Sequence, residues 1–150
     1  RWHAVTGAAS LYPGEPIVVV HIGAATTVDV VVPEGDGVQA FLGGRILPGP
    51  SMMNEALLTK TRCRPGRIGV RADFPSNTAD AIATAVLEAH LGLVDRTLTA
   101  LGRMGFESPR MLFAGGAAPL FAPYLMQEYP QAVIKHNLVL RGLAMRAKVR

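Results

Sequence analysis

Cysteine is nearly absent from this sequence: Cys63 stands alone among 150 residues. No intrachain disulfide framework can form, and a reducing compartment is the expected setting. Long apolar runs are missing too. Ile17–Val20 is the longest purely apolar core of a run, far short of the ~20 residues that cross a bilayer, so no membrane association is expected. No N-terminal stretch passes from basic through apolar to small residues, so a secretory signal is not expected and the location is read as cytoplasmic. The four histidines lack ligand spacing such as His-x-x-x-His, which leaves a zinc site without support. Repeats and low-complexity tracts are absent as well. Charged residues make up only 17% of the chain while 49% are hydrophobic, a balance that excludes disorder and suffices for one packed domain. The chain also opens on Arg1-Trp2 without an initiator methionine, so it reads as a fragment or a processed product.

The formal charge of +4 is spread along the chain except for Lys60, Arg62, Arg64, Arg67 and Arg71. A solvated loop explains that cluster more simply than a nucleic-acid surface, and nucleic acid is not an expected partner.

Periodicity and punctuation place ten elements. A helix is expected over Trp2–Leu11, ended by Tyr12-Pro-Gly-Glu-Pro16. Three strands follow, Ile17–Ile22, Thr26–Val32 and Val38–Leu47, the last broken by Gly43-Gly44; short turns between them predict an antiparallel meander. Helices are expected over Met52–Leu58, capped by Ser51, and over Thr78–Leu101, capped by Asn77 or Ser76 and closed by Gly102 and Gly105. The apolar stripe of the long helix is read as Ile82, Ala85, Val86, Ala89, Leu93 and Leu98. Strand Arg110–Phe113, helix Leu120–Glu128, short strand Ala132–Lys135 and an Asn137-capped helix Leu138–Ala147 complete the chain. A three-stranded meander followed by strands alternating with helices is the plan of a ribonuclease-H-like α/β lobe, here a single one over 1–150.

Four places could carry chemistry. In the turn His21-Ile22-Gly23-Ala24-Ala25-Thr26-Thr27, glycine admits close backbone approach and amides with threonine hydroxyls can bind phosphate. An ordinary hairpin explains the same residues, and on composition alone it is the stronger reading. Ala114-Gly115-Gly116 joins a strand to a helix, where glycines leave room for a base or ribose and the helix end favours an anion; a turn with good helix-entry chemistry explains the same residues equally well. Asn77-Thr78-Ala79-Asp80 is explained by helix capping without any ligand. Cys63 lies between Arg62 and Arg64 but has no identified base partner, and an inert thiol is the simpler reading. A two-metal nuclease fits poorly, because its carboxylates are missing where strand one carries His21.

Taken in order, these pieces resemble the type III pantothenate kinases, also called the Bvg accessory factor family. Arg1-Trp2 is followed by a D-x-G-T-A-T-T-like loop at His21–Thr27 and by Val28-Asp29. Leu42-Gly43-Gly44-Arg45-Ile46-Leu47-Pro48-Gly49 is similar to the family's G-G-x-I-x-P-G. Asn77–Ile82, Phe113-Ala114-Gly115-Gly116 and Asn137–Leu143 continue the match over essentially the whole chain, but only to the family's C-terminal half.

The resemblance implies the actin-like ATPase, sugar kinase and Hsp70 fold, with ATP held between two ribonuclease-H-like lobes. It implies ATP-dependent phosphorylation of pantothenate, the first step of coenzyme A biosynthesis, by a homodimer that uses a monovalent cation such as potassium or ammonium. Arg1 would help hold pantothenate, with the general-base Asp immediately before it and outside this sequence. Thr78 would reach pantothenate across the dimer. Gly23, Thr26 and Thr27 would form a phosphate loop, and Gly115-Gly116 the adenosine-side turn. Three departures weigh against activity: His21 stands where the family's cation-binding Asp is expected, Ala24 where a nucleotide-contacting Thr is, and Ala85 where glycine is usual. The alternative is a non-catalytic binding or regulatory relative that keeps the fold and loses the reaction.

Overall fold

The computed structural model describes residues 1–147; the last three residues of the expected 1–150 lobe lie outside it. The elements run α1 (Trp2–Ala9), β1 (Ile17–Ile22), β2 (Ala25–Gly35), β3 (Val38–Pro48), α2 (Pro50–Lys60), α3 (Thr78–Gly102), β4 (Arg110–Ala114), α4 (Ala118–Glu128), β5 (Val133–Ile134) and α5 (Leu138–Ala147). All ten are in the expected order, and the strands form one mixed sheet in the order β3-β2-β1-β4-β5. β1 pairs antiparallel with β2, and β2 with β3, which is the expected meander. β4 joins β1 in parallel and β5 joins β4 in parallel.

β1 is central, and it is nearly all apolar because helices cover both of its faces. Its alternating side chains divide the core in two. Val18, Val20 and Ile22 face one way with Val28, Val30, Met111 and Phe113, and they pack against Leu87, Val94 and Leu101 of α3 and Phe121 and Leu125 of α4. Ile17 and Val19 face the other way with Val31 and Leu112, beneath Ala4, Val5 and Ala8 of α1 and Leu138 of α5. α1 and α5 approach backbone to backbone: a methyl at Gly7 would overlap the Leu138 carbonyl, and one at Gly142 would overlap that of His3.

Several boundaries differ from expectation for local reasons. β3 is not broken at Gly43-Gly44; both glycines pair with β2, and the register shift between Val30 and Val31 leaves Leu42 as the extra residue of a bulge through which the ladder continues. α2 starts at Pro50 with Gly49 as its N-cap and no side-chain cap, so Ser51 is inside the helix rather than capping it. Proline's fixed φ and missing N–H suit the first helical position. α1 ends at Ala9 rather than Leu11, and β5 has only two residues.

The buried stripe of α3 is also shifted. Its buried residues are Ala79, Asp80, Thr84, Val86, Leu87, His90, Val94, Thr97 and Leu101; of the expected apolar set Val86 is among them, and Leu93 and Leu98 pack partly buried against the same core. The polar members find hydrogen bonds nearby: Thr97 Oγ1 donates to the Leu93 carbonyl, His90 Nδ1 bonds that of Val86 while its Nε2 is buried with no partner among the described residues, and Thr84 exchanges hydrogen bonds with Ala72. A side chain that bonds its own helix at i−4 can sit on a buried face without a distant partner. Asn77 is the cap, its side chain accepting from Asp80 N–H at 3.1 Å. At the other end Phe106 N–H reaches the Leu101 carbonyl and Gly105 N–H that of Gly102, the pairing of a Schellman motif.

Candidate functional site

The tight turn joining β1 to β2 is built by Gly23 and Ala24. Gly23 N–H bonds the Ala25 carbonyl at 3.2 Å, and Gly49 N–H bonds the Ala24 carbonyl at 2.8 Å, so the entry to α2 braces the turn. On the other side, the loop from β4 into α4 lies across the end of β1. Ala117 N–H donates to the Ile22 carbonyl at 3.0 Å, while Gly115 has φ +99° and leaves no space for a Cβ against the Ile22 backbone. Left-handed backbone and close approach together require glycine there. Two turns far apart in sequence are thereby brought to one end of the central strand.

Beside them lie two adjoining hollows. One, of ≈ 490 Å³, is lined by His21, Ala114, Gly115, Gly116, His136 and Asn137 among others. The second, of ≈ 320 Å³, is lined by Arg1, Ala4, His21, Ala24, Ala25, Thr27 and Val139. His21 and Val139 line both, so the hollows meet at those side chains. Among the described residues their walls carry Arg1, His21 and His136 and no carboxylate.

Strand alternation decides which residues reach this space. His21 pairs with Thr27 and Val19 with Asp29, so His21, Thr27 and Asp29 share the α1/α5 face. Thr26 pairs with Ile22 and points the other way, where it is 1% exposed and its Oγ1 has no hydrogen-bond partner. Of the seven residues first marked as binding, Arg1, Gly115, Gly116 and Thr27 line the hollows, and Gly23 forms the adjacent turn. Thr26 faces the α3/α4 core. Thr78 is exposed on the first turn of α3 and lines neither hollow. Ala24 lines the second hollow, and Ala85 is exposed on α3.

Asp29 went unrecognised as a functional group in the sequence. It is 1% exposed, and Arg1 grips its Oδ1 with Nε at 2.9 Å and Nη2 at 2.5 Å. The pair raises the Arg1 pKa, first through the hydrogen bond to Asp29. Opposite it, Gly44 leaves room for both groups: a Cβ there would overlap Asp29 Oδ1 and the Val28 carbonyl and crowd the Arg1 guanidinium. A carboxylate inside a β-branched strand was the available signal, because a buried charge needs a partner. His136 carries no signal in the sequence, and Asn137 is expected there only as a cap; Asn137 sits at φ +61°, which turns the chain into α5 beside the first hollow.

The basic segment is used internally. Arg67 bonds Asp80 at 2.8 Å and Asn77 at 3.2 Å, and Arg64 folds onto the carbonyls of Leu58, Thr61 and Cys63. Asp80 also accepts from Val70 N–H and Asn77 Nδ2, and these partners, Arg67 foremost, hold its carboxyl well below the usual carboxylate range. Among the described residues no group of three or more His, Cys, Asp or Glu could hold a metal ion. No helix among them is long and apolar enough to cross a membrane.

Comparison with known proteins gives the chain its relatives. The family model described as type III pantothenate kinase matches residues 1–100. The type III pantothenate kinase of Aromatoleum aromaticum is 38% identical over 148 residues, covering 99% of this chain and 57% of that protein. The chain thus spans about half the length of the curated relatives it matches. Among solved structures, a conserved Baf family transcriptional activator from Campylobacter jejuni superposes with TM-score 0.66 at 23% identity, over 97% of this chain and 62% of that one. MreB 5 of Spiroplasma citri superposes with TM-score 0.53 at 12% identity, over 99% and 57%. These likenesses show the actin-like ATPase fold.

Proposed function

This chain belongs to the type III pantothenate kinase family, and from that premise we propose that it is the C-terminal, ribonuclease-H-like lobe of an ATP-dependent pantothenate kinase. Such an enzyme catalyses the first step of coenzyme A biosynthesis, in the cytoplasm and as a homodimer. The observation that carries the reading is the convergence of the Gly23 turn and the Gly115–Gly116 turn on hollows that Arg1 also lines.

Phosphoryl transfer asks mainly for positioning and for compensation of phosphate charge. In this reading the Gly23–Ala25 turn and Thr27 face the phosphates, and Gly115–Gly116 accept the adenosine side with the N-terminal end of α4 behind them. That helix end carries partial positive charge. Arg1 holds the pantothenate carboxylate, and Asp29 fixes the direction of its guanidinium. The general base belongs to a residue preceding Arg1. Thr78, remote from these hollows within one chain, acts on the site of a second copy. Thr26 enters only through its place in β2.

The test is a turnover assay on the intact polypeptide that carries these residues, with ATP and pantothenate. Losing a charged hydrogen bond costs ~1.5–3 kcal/mol, so Arg1→Met should lower kcat/KM for pantothenate about 10- to 100-fold while leaving the KM for ATP near its original value. An Arg1→Met enzyme with unchanged kcat/KM for pantothenate would remove Arg1 from the substrate site.

A second reading, a relative that binds without catalysing, is favoured by one observation: Ala24 and His21, not a hydroxyl and a carboxylate, line the hollow beside the phosphate turn. ATP bound by the intact protein without turnover of pantothenate would select it.

A further inference from the structure

The family resemblance implies a monovalent cation at the phosphate turn, and the residues present there do not fit one. A potassium or ammonium ion is held by several oxygen donors, and the resemblance puts a carboxylate at position 21 as one of them. Around the Gly23 turn the side chains that line the hollows are Arg1, His21, Ala24, Ala25 and Thr27, of which only Thr27 offers an oxygen. The Ala25 carbonyl accepts from Gly23 N–H and the Ala24 carbonyl from Gly49 N–H, which leaves each one neutral lone pair that does nothing to offset the charge of Arg1 beside it. Asp29, the carboxylate on the same face, is buried and gripped by Arg1. A neutral imidazole donates or accepts through nitrogen and adds no anionic oxygen; a protonated one repels a cation.

The same donor set suits an anion. His21 is half-buried at the junction of the two hollows, with its ring folded over the turn: a Cβ on Gly23 would stand 3.3 Å from His21 Cε1 and 3.7 Å from Nδ1. Facing it are Arg1 from the start of α1, His136 from the loop before α5, and Thr27 from β2, with paired Asp29 one step further along that strand. β4 presents Ala114 and α5 presents Val139, neither of which titrates.

Resting on the kinase reading above, we propose that His21 in its protonated form is itself the positive charge at the nucleotide's phosphate, so that this site binds nucleotide without a monovalent cation and more tightly as pH falls. The imidazolium donates a hydrogen bond directly to a phosphate oxygen, the task a cation would otherwise perform through space. Phosphate raises the pKa of the ring that touches it. Affinity is therefore greatest at the acid end and falls as pH rises.

The experiment is calorimetric titration of the intact protein with ADP and Mg²⁺ between pH 6 and pH 8. It is repeated with potassium replaced by tetramethylammonium at constant ionic strength, and with His21→Gln and His21→Asp. A one-unit rise in the bound pKa corresponds to an affinity loss of up to about tenfold across that range in the wild type, beyond any change in His21→Gln. The nucleotide's own protonation is common to both proteins and cancels. Exchange of the cation should leave wild-type affinity unchanged, whereas His21→Asp should come to require potassium. Superimposable pH profiles for wild type and His21→Gln, or wild-type binding that tightens with potassium, would overturn the proposal while leaving the kinase reading intact. No ADP binding by wild type and His21→Asp under any condition would overturn the kinase reading and this inference with it. Should His21→Gln not fold, as judged by thermal unfolding, His21→Asn takes its place; the cation exchange needs only the wild type and decides by itself.

Discussion

The two faces of the sheet are made by the same strands and have opposite characters. Toward α3 and α4, β1 and β2 present Val18, Val20, Ile22, Val28 and Val30, closed over by Phe113, Met111, Phe121 and Leu125. Toward α1 and α5, the residues next along those strands are Val19, His21, Thr27 and Asp29. There the covering helices cross backbone to backbone at Gly7 and Gly142, and hollows remain between α5, the turns and Arg1. Period-2 alternation thus lets one sheet separate stability from chemistry: the larger apolar core lies on one face, and the other sets His21, Thr27 and Asp29 beside the glycine turns.

The strongest way to break that comparison is to empty the filled face. Phe113 is fully buried against Tyr129 and the α3/α4 core, so Phe113→Ala should cost about 3–5 kcal/mol in urea unfolding. A cost below ~1 kcal/mol would mean that this face is not where the stability lies.

On the other face, Asp29→Ala removes the carboxylate that Arg1 grips. Arg1 is more than a third exposed, so solvent screens the loss and a cost of about 1–2 kcal/mol in stability is expected. The larger consequence should be in pantothenate KM, because the guanidinium loses its fixed direction. If KM held while stability fell by as much as in Phe113→Ala, Asp29 would belong to the core and the division of labour would fail.

Acid separates the rim of α3 from both faces. Because its native partners depress the Asp80 carboxyl, Asp80 contributes stability above the ordinary carboxylate range near pH ~4 and loses it as pH falls through the native value. Asp80→Asn should therefore flatten the acid limb of stability, with no change in nucleotide affinity at pH 7. An acid limb as steep in Asp80→Asn as in the wild type would assign the sensitivity elsewhere.

The smallest effect belongs to Thr26, a buried hydroxyl without a partner on the apolar face. Thr26→Val is nearly isosteric and should leave stability unchanged or raise it by up to ~1 kcal/mol, with ADP affinity preserved. Weakened ADP binding in that variant would put Thr26 back among the ligands and sharpen the boundary between the faces.

Much of this was legible in the residues. Pro and Gly clusters fix the loops, β-branched runs fix the strands, and short turns fix the meander, so all ten elements and their order could be read. The misreadings share a cause. Thr84, His90 and Thr97 look outward-facing by composition yet are buried, because each finds a nearby hydrogen bond. Thr26 and Thr27 are equivalent as letters, and only the pairing with Ile22 and His21 sends one to the core and the other to the hollow. Asp29 looks like an ordinary strand residue until Arg1, 28 residues away in sequence, closes on it.

Local backbone preference and hydrophobic period act over a few residues, and they suffice for the α/β class, the succession of elements and the two glycine turns. The meeting of those turns at the end of β1, the pairing of Arg1 with Asp29 and the place of His21 where two hollows join arise only once the chain has folded. Those juxtapositions come from strand order and register, which set distance between residues that no local preference links.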